Sequence, residues 1–258
     1  MKLLTKGFVG VITLLLLFSS VEIMAQSDND INELIRNAES HYKNKRNNKA
    51  LESFLHVLEL DSTNYTALHR VSLLYNMIGF QFEDEDQQMD HYIKAKDYAE
   101  KALQYHEGKP EAHYVYSIAT GRISKKSRPR TRVGYANEIK KHAEKALELN
   151  PDHAGAWHVL GVWHHEASTL NFAERTAVRM FGGLPEASKE KAEEAFNKAI
   201  SLDNNNILFY LDFAKFYEEM GSDEQAINML EKAVALEPQR DGDEKHLEIS
   251  KNFLASLK

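Results

Sequence analysis

The stretch AGAWHVLGVWHHEASTL, from Ala154 to Leu170, constrains the fold more than any other part of the chain. Trp157, Leu160, Gly161 and His164 fall at helical spacing, and residues three or four apart share one face of a helix. Trp157 and Leu160 fill one side. Gly161 beside them has no side chain, so a partner helix can approach closely. Just upstream, Ala146, Leu147 and Leu149 end another apolar helix, and Pro151 marks the turn after it. The local unit is therefore a pair of helices crossing at a small residue.

That unit recurs. Ala38, Ser72, Ser117, Gly161 and Ala214 are equivalent small positions on successive first helices, at intervals of 34, 45, 44 and 53 residues. The second helices carry their own frame: Ala50/Phe54/Val57, Ala95/Ala99/Ala102, Ile139/Ala143/Ala146, Ala192/Phe196/Ala199 and Ala226/Leu230/Ala233. The first interval is the length of a tetratricopeptide unit, and W-x2-L-G-x2-Y is the pattern of its first helix, with His164 here in place of Tyr. The expected fold is all-α: a right-handed tetratricopeptide-repeat solenoid of five repeats over 31–240. Repeats 2, 3 and 4 are expected to carry insertions between their helices. Asp241 to Lys258 reads as a capping helix, with Leu247, Ile249, Phe253, Leu254 and Leu257 on its apolar stripe and Lys245, Glu248 and Lys251 in water.

The N-terminus reads as an export signal. Lys2 and Lys6 precede an apolar run from Phe8 to Val21, and small Ala25 stands before a cut that leaves Gln26 first. A short segment, 26–30, then leads into the repeats. The run is short for a membrane span, which needs roughly 20 apolar residues; an uncleaved anchor is the alternative. The expected location is periplasmic or secreted. The chain has no cysteine, so disulfides, thiol catalysis and a lipidated N-terminal cysteine are excluded. A net charge of −7 argues against general nucleic-acid binding.

From about Tyr65 to Lys258 the chain resembles the regulator of microtubule dynamics family, a tetratricopeptide group with animal and bacterial members. The segments that carry the resemblance are DYAEKAL (Asp97 to Leu103), KALELNP (Lys145 to Pro151), LGVWHHEAS (Leu160 to Ser168) and ERTAVRMFGGLPEAS (Glu174 to Ser188). The last is not a repeat word and lies inside the fourth insertion. The resemblance implies the fold and the shape of the insertions. The family's name implies microtubules and organelle membranes, whereas an exported bacterial-type chain meets no microtubules. The resemblance brings no catalytic motif.

First helices of stacked repeats line the concave face, the usual ligand surface. The residues expected there are His69, Leu73, Tyr114, Ile118, His158, Val162, His165, Leu211 and Lys215, with Asn76, Gly121 and Glu218 beside them. Ile35, Glu39 and Tyr42 hold the matching places in repeat 1. Lys and Asn, which clamp a C-terminal carboxylate in some tetratricopeptide proteins, are missing where Ile35 and Glu39 stand. The histidines are expected to pack or line the groove rather than bind metal. His158 and His165 are about 10.5 Å apart along a helix, too far to share an ion.

Arg122, Lys125, Lys126, Arg128, Arg130 and Arg132 form a basic island on an acidic chain, read as a solvated insert or a contact for anionic headgroups or an acidic partner. In the fourth insertion, Asn171 with Glu174 starts a helix and Gly182-Gly183 ends it. Phe172, Val178, Met180 and Phe181 are expected to pack across the solenoid.

No phosphate loop, nucleotide fingerprint or G-x-S-x-G element occurs. The expectation is a non-catalytic exported scaffold, without cofactor, that holds a peptide or protein segment in its groove. The alternative is a carrier for a hydrophobic ligand such as a lipid, with the basic insert on anionic headgroups. The residues do not specify an oligomeric state.

Overall fold

The computed structural model describes residues 30–258; the export signal and its cut at Ala25 lie outside the described residues. No strand occurs among the described residues. Ten helices form five antiparallel pairs: α1 (30–43) with α2 (Asn47–Leu60), α3 (Tyr65–Gln81) with α4 (Glu85–His106), α5 (Pro110–Ser124) with α6 (Pro129–Leu149), α7 (Ala154–Ser168) with α9 (Lys189–Leu202), and α10 (Ile207–Glu219) with α11 (Asp223–Val234). A short α8 (Phe172–Met180) interrupts the fourth pair, and α12 (Asp243–Leu257) ends the chain. The all-α tetratricopeptide solenoid is what the structure shows.

The helices start where local chemistry supplies a cap. Asn64, Asp84 and Ser188 accept hydrogen bonds from Ala67, Gln87 and Lys191 N–H, and Pro110 and Pro129 begin α5 and α6. Each such side-chain cap contributes about 1 kcal/mol. Asn171 and Glu174 form a reciprocal capping box at α8, and Gly182 and Gly183 end that segment at positive φ.

Small buried residues mark every crossing. Ala38, Ser72, Ser117 and Ala214 are buried, as is Gly161. A Cβ added at Gly161 would lie 2.9 Å from the ring of Phe196 on α9. At Gly155 it would lie 2.5 Å from the Tyr114 ring on α5. Glycine is needed at both places because an aromatic ring sits against the backbone.

The added length of repeats 2 and 3 is not inserted between helices, as the spacing suggested. It lies in the helices themselves: α3, α4 and α6 run 17, 22 and 21 residues. The connections are only 82–84 and 125–128. The extra turns of α6 carry the cationic segment, so it is an α5 terminus, a tight turn and the start of α6 rather than a free loop.

The fourth insertion also departs from expectation. No residue of α8 is buried; Phe172 is 81% and Met180 73% exposed. The apolar side of α8 available for packing consists of small Ala173 and Ala177 with Val178, so the larger residues fall on the outer arc of the helix.

The C-terminal helix does more than cap. Leu247, Phe253, Leu254 and Leu257 pack on α10 and α11. The segment before α12 then reaches the first repeats. Lys45 Nζ donates to Pro238 O at 2.7 Å and Asn47 Nδ2 to Asp241 Oδ2 at 2.6 Å. His246 stacks on Phe80 with ring centroids 4.7 Å apart. Lys245, expected in water, donates to Phe80 O and Glu83. The solenoid thus curls until its last element touches its first two repeats.

Candidate functional site

Closure turns the concave face into a cavity of about 860 Å³. Its walls come from α3, α5, α7 and α10, as the repeat geometry dictates. Three further elements complete it: the first turns of α6, the inner side of α8, and the 240–249 segment. The lining is mainly apolar. Leu73, Tyr114, Ile118, His158, Val162, Leu211 and Lys215 line it, while His69 and His165 do not.

His69 is buried; its Nδ1 donates to Tyr65 O, and burial pushes its pKa down to about 4. His165 pairs with Glu219 at 2.5 Å and meets the Phe216 ring edge-on. His158 touches the cavity but is also a structural tie. Its ring stacks on Phe209 at 4.6 Å, and Nε2 donates to Asp212 at 3.0 Å. Burial raises the Asp212 pKa, but the hydrogen bond from His158 and the nearby Lys215 outweigh it and hold the carboxyl well below the usual range. The two pairs, 158–212 and 165–219, lie seven residues apart on both α7 and α10, so they join the same two helix faces. Among the described residues, no group of three or more His, Asp or Glu could hold a metal ion.

Apart from Arg132, already singled out in the basic island, the wall residues of α6 were not foreseen from the sequence. Arg132, Val133, Ala136 and Ile139 line the cavity. They follow i, i+1, i+4, i+7, one helical face, and that periodicity was the available signal. Phe80, Arg240 and His246 were also missed, because only the closure brings them there. Arg240 is bound to Asp203 at 2.8 Å and to Asn205 O.

Of the basic island, Arg122, Lys125 and Arg132 line the cavity; Lys126, Arg128 and Arg130 do not. Lys126 pairs with Glu85. Arg122 lies over the rings of Phe80 and Tyr92. Arg122, Lys125 and Arg132 have no carboxylate within ion-pair distance among the described residues. Lys125 and Arg132 are exposed as well as lining, so they mark the opening. Glu166 is the acidic side chain exposed on the same lining, and Glu174 is engaged in its capping box. Two residues of the lining carry a buried atom without a protein partner, the carboxamide oxygen of Asn76 and Nδ1 of His246. No helix among the described residues is long and apolar enough to cross a membrane.

Solved structures of similar shape are tetratricopeptide proteins. A thermophilic TPR protein of Thermus thermophilus aligns with a TM-score of 0.60 at 16% identity, covering 86% of this chain and 99% of that one. PilF of Pseudomonas aeruginosa aligns at 0.52 with 13% identity, covering 90% of each. Among curated proteins, regulator of microtubule dynamics protein 1 of Mus musculus is 32% identical over 113 residues, 43% of this chain and 37% of its own. Protein 3 of Xenopus laevis is 29% identical over 171 residues, 66% of this chain and 37% of its own. The chain thus spans little more than a third of the length of these relatives. The model of the family "Regulator of microtubule dynamics protein 1-3" matches residues 34–258, so all but the first turn of α1 lies within the match, the α8 insertion and the closing helix included, and the chain belongs to that family.

Proposed function

We propose that this chain is a non-catalytic carrier that encloses an acyl-bearing amphiphile in its central cavity. One observation carries the reading. The cavity has mainly apolar walls, Lys125 and Arg132 stand at its opening and Arg122 on its wall, all three without ionic partners among the described residues. Apolar walls favour a hydrocarbon chain, and unpaired guanidinium groups favour a carboxylate or phosphate head. The volume of about 860 Å³ falls within the range of roughly 300–1,000 Å³ for small-molecule sites.

The test is binding of a fluorescent fatty acid. Ile118→Trp fills the cavity and is expected to abolish binding with little change in melting temperature. Equal affinity in the wild type and the variant would overturn the reading.

A second reading keeps the solenoid as a peptide scaffold. It is favoured by Tyr114, whose hydroxyl makes no hydrogen bond among the described residues and whose side chain lines the cavity, where a peptide carbonyl would meet it. Under this reading a captured peptide, not a lipid, appears in native mass spectra of the purified chain.

Export to the periplasm or medium completes the proposal. It is supported by Lys2, Lys6, the apolar run Phe8 to Val21 and Ala25. N-terminal sequencing of the secreted chain is expected to begin at Gln26; an intact N-terminus in a membrane fraction would make the run an anchor.

A further inference from the structure

We propose that α8, with the basic segment that leads into α6, is a docking surface for an anionic lipid bilayer. Phe172 and Met180, on the outer arc of α8, enter the headgroup region.

The large exposed apolar residues are not scattered evenly. Leu60, Ile93, Tyr105 and Ile249 stand apart on three helices, whereas Phe172, Met180 and Phe181 fall within ten consecutive residues. At about 100° per residue, Phe172, Thr176 and Met180 share the outer arc of α8, and Arg175 and Arg179 flank it. All five are exposed. Ala177 and Val178 turn the other way and line the cavity, with exposed Ala173 at its edge.

Charge selects the occupant. Arg175, Arg179, Lys125, Arg128, Arg130 and Arg132 have no acidic partner within ion-pair distance among the described residues. Glu186 is the exposed carboxylate next along the chain. Asn137 on α6 donates to Gly183 O just after α8 at 3.1 Å, so the basic start of α6 and the apolar arc belong to one rim. A short helix with aromatic and apolar residues beside arginines suits the interface of an anionic bilayer. Because α8 buries none of its residues, it can settle there without loss of core.

The proposal does not rest on what the cavity holds. It would, however, set the cavity opening against the bilayer.

The full chain has no cysteine, so Phe172→Cys carries a single environment-sensitive fluorophore, and Glu52→Cys on exposed α2 serves as control. The probes are vesicles of phosphatidylcholine, alone or mixed with phosphatidylglycerol. The label at 172 is expected to brighten and shift to the blue on the mixed vesicles, the effect weakening as salt is raised. The label at 52 is expected to stay unchanged. Arg175→Glu with Arg179→Glu is expected to weaken the response at least tenfold, with helical circular dichroism retained. Vesicle binding through the N-terminal apolar run alone would leave position 172 in water. No response at 172, an equal response on phosphatidylcholine alone, or an unchanged response in the double variant would each overturn the proposal. In the first case the patch would fall to a protein partner.

Discussion

Gly161 offers the most quantitative test of the packing. It lies inside α7, where glycine costs about 1 kcal/mol relative to alanine in helix propensity. Propensity alone therefore makes Gly161→Ala stabilising. The structure opposes this, because the added Cβ would lie 2.9–3.0 Å from three atoms of the Phe196 ring. That ring is fully buried and stacks on Phe213 with centroids 5.1 Å apart, so it has nowhere to move. Overpacking of this kind costs about 1–3 kcal/mol. The net for Gly161→Ala is about 0–2 kcal/mol of destabilisation, and Gly161→Leu is expected to reach or exceed about 3 kcal/mol. Gly134 is the internal control. It lies inside α6 with nothing within 4 Å of its added Cβ, so Gly134→Ala is expected to stabilise by about 1 kcal/mol. For a chain of this size, each kcal/mol moves the melting temperature by about 2–4 °C. Calorimetry of the three variants reads the contrast directly. If Gly161→Ala raises the melting temperature as much as Gly134→Ala does, the α7–α9 contact is misassigned and the repeat register at Gly161 is wrong.

Other outcomes follow from the ties seen across the molecule. His158→Ala strips the mostly buried Asp212 of one donor and is expected to cost about 2 kcal/mol, read by urea denaturation; a loss below about 0.5 kcal/mol would show the pair to be incidental. Lys45→Ala combined with Lys245→Ala removes ties between the closing segment and the first repeats. Because exposed ion pairs contribute about 0–1 kcal/mol each, the melting temperature is expected to change little, while hydrogen exchange in 237–257 speeds up. Unchanged exchange there would mean that these lysines do not hold the ring shut. Burial pushes His69 and His246 down to about 4, below the roughly 6.5 of an unfolded histidine. Between those values the unfolded chain binds more protons. This stability is therefore complete above about pH 6.5 and is lost as pH falls toward 4. The melting temperature is expected to drop by several degrees from pH 7 to pH 5, and less so in His246→Phe, which keeps the stack on Phe80; a flat profile would refute the burial of neutral imidazoles.

Much of this architecture is legible in the chain itself. The small residues at Ala38, Ser72, Ser117, Gly161 and Ala214, and the alanine-rich second helices, name their own partners, because helix crossings require small side chains at fixed spacing. The capping box at Asn171 and Glu174 and the glycine stop after α8 are equally local. Most of the cavity wall on α3, α5, α7 and α10 could be read from the same period. Periodicity could not sort His165, which sits at the edge of the inward face of α7, or His69, which lies on the inward face of α3 but one turn before the lining begins at Leu73. Whether such an edge position meets the cavity or a neighbouring helix depends on crossing angle and curvature. For His158 the sequence shows an inward position but not the Asp212 carboxylate 54 residues away that makes it structural.

The helix pairs, their order and their contact faces are written into the chain, since they follow from short-range spacing and caps. The closing of the superhelix is not. Small rotations between repeats add up over five units, and no local pattern records their sum. Once they bring 237–246 onto Lys45, Asn47 and Phe80, an open groove becomes a cavity. The same accumulated geometry leaves α8 outside the core with Phe172 and Met180 in water, the side turned to the cavity offering only Ala177 and Val178 as apolar residues of intermediate burial.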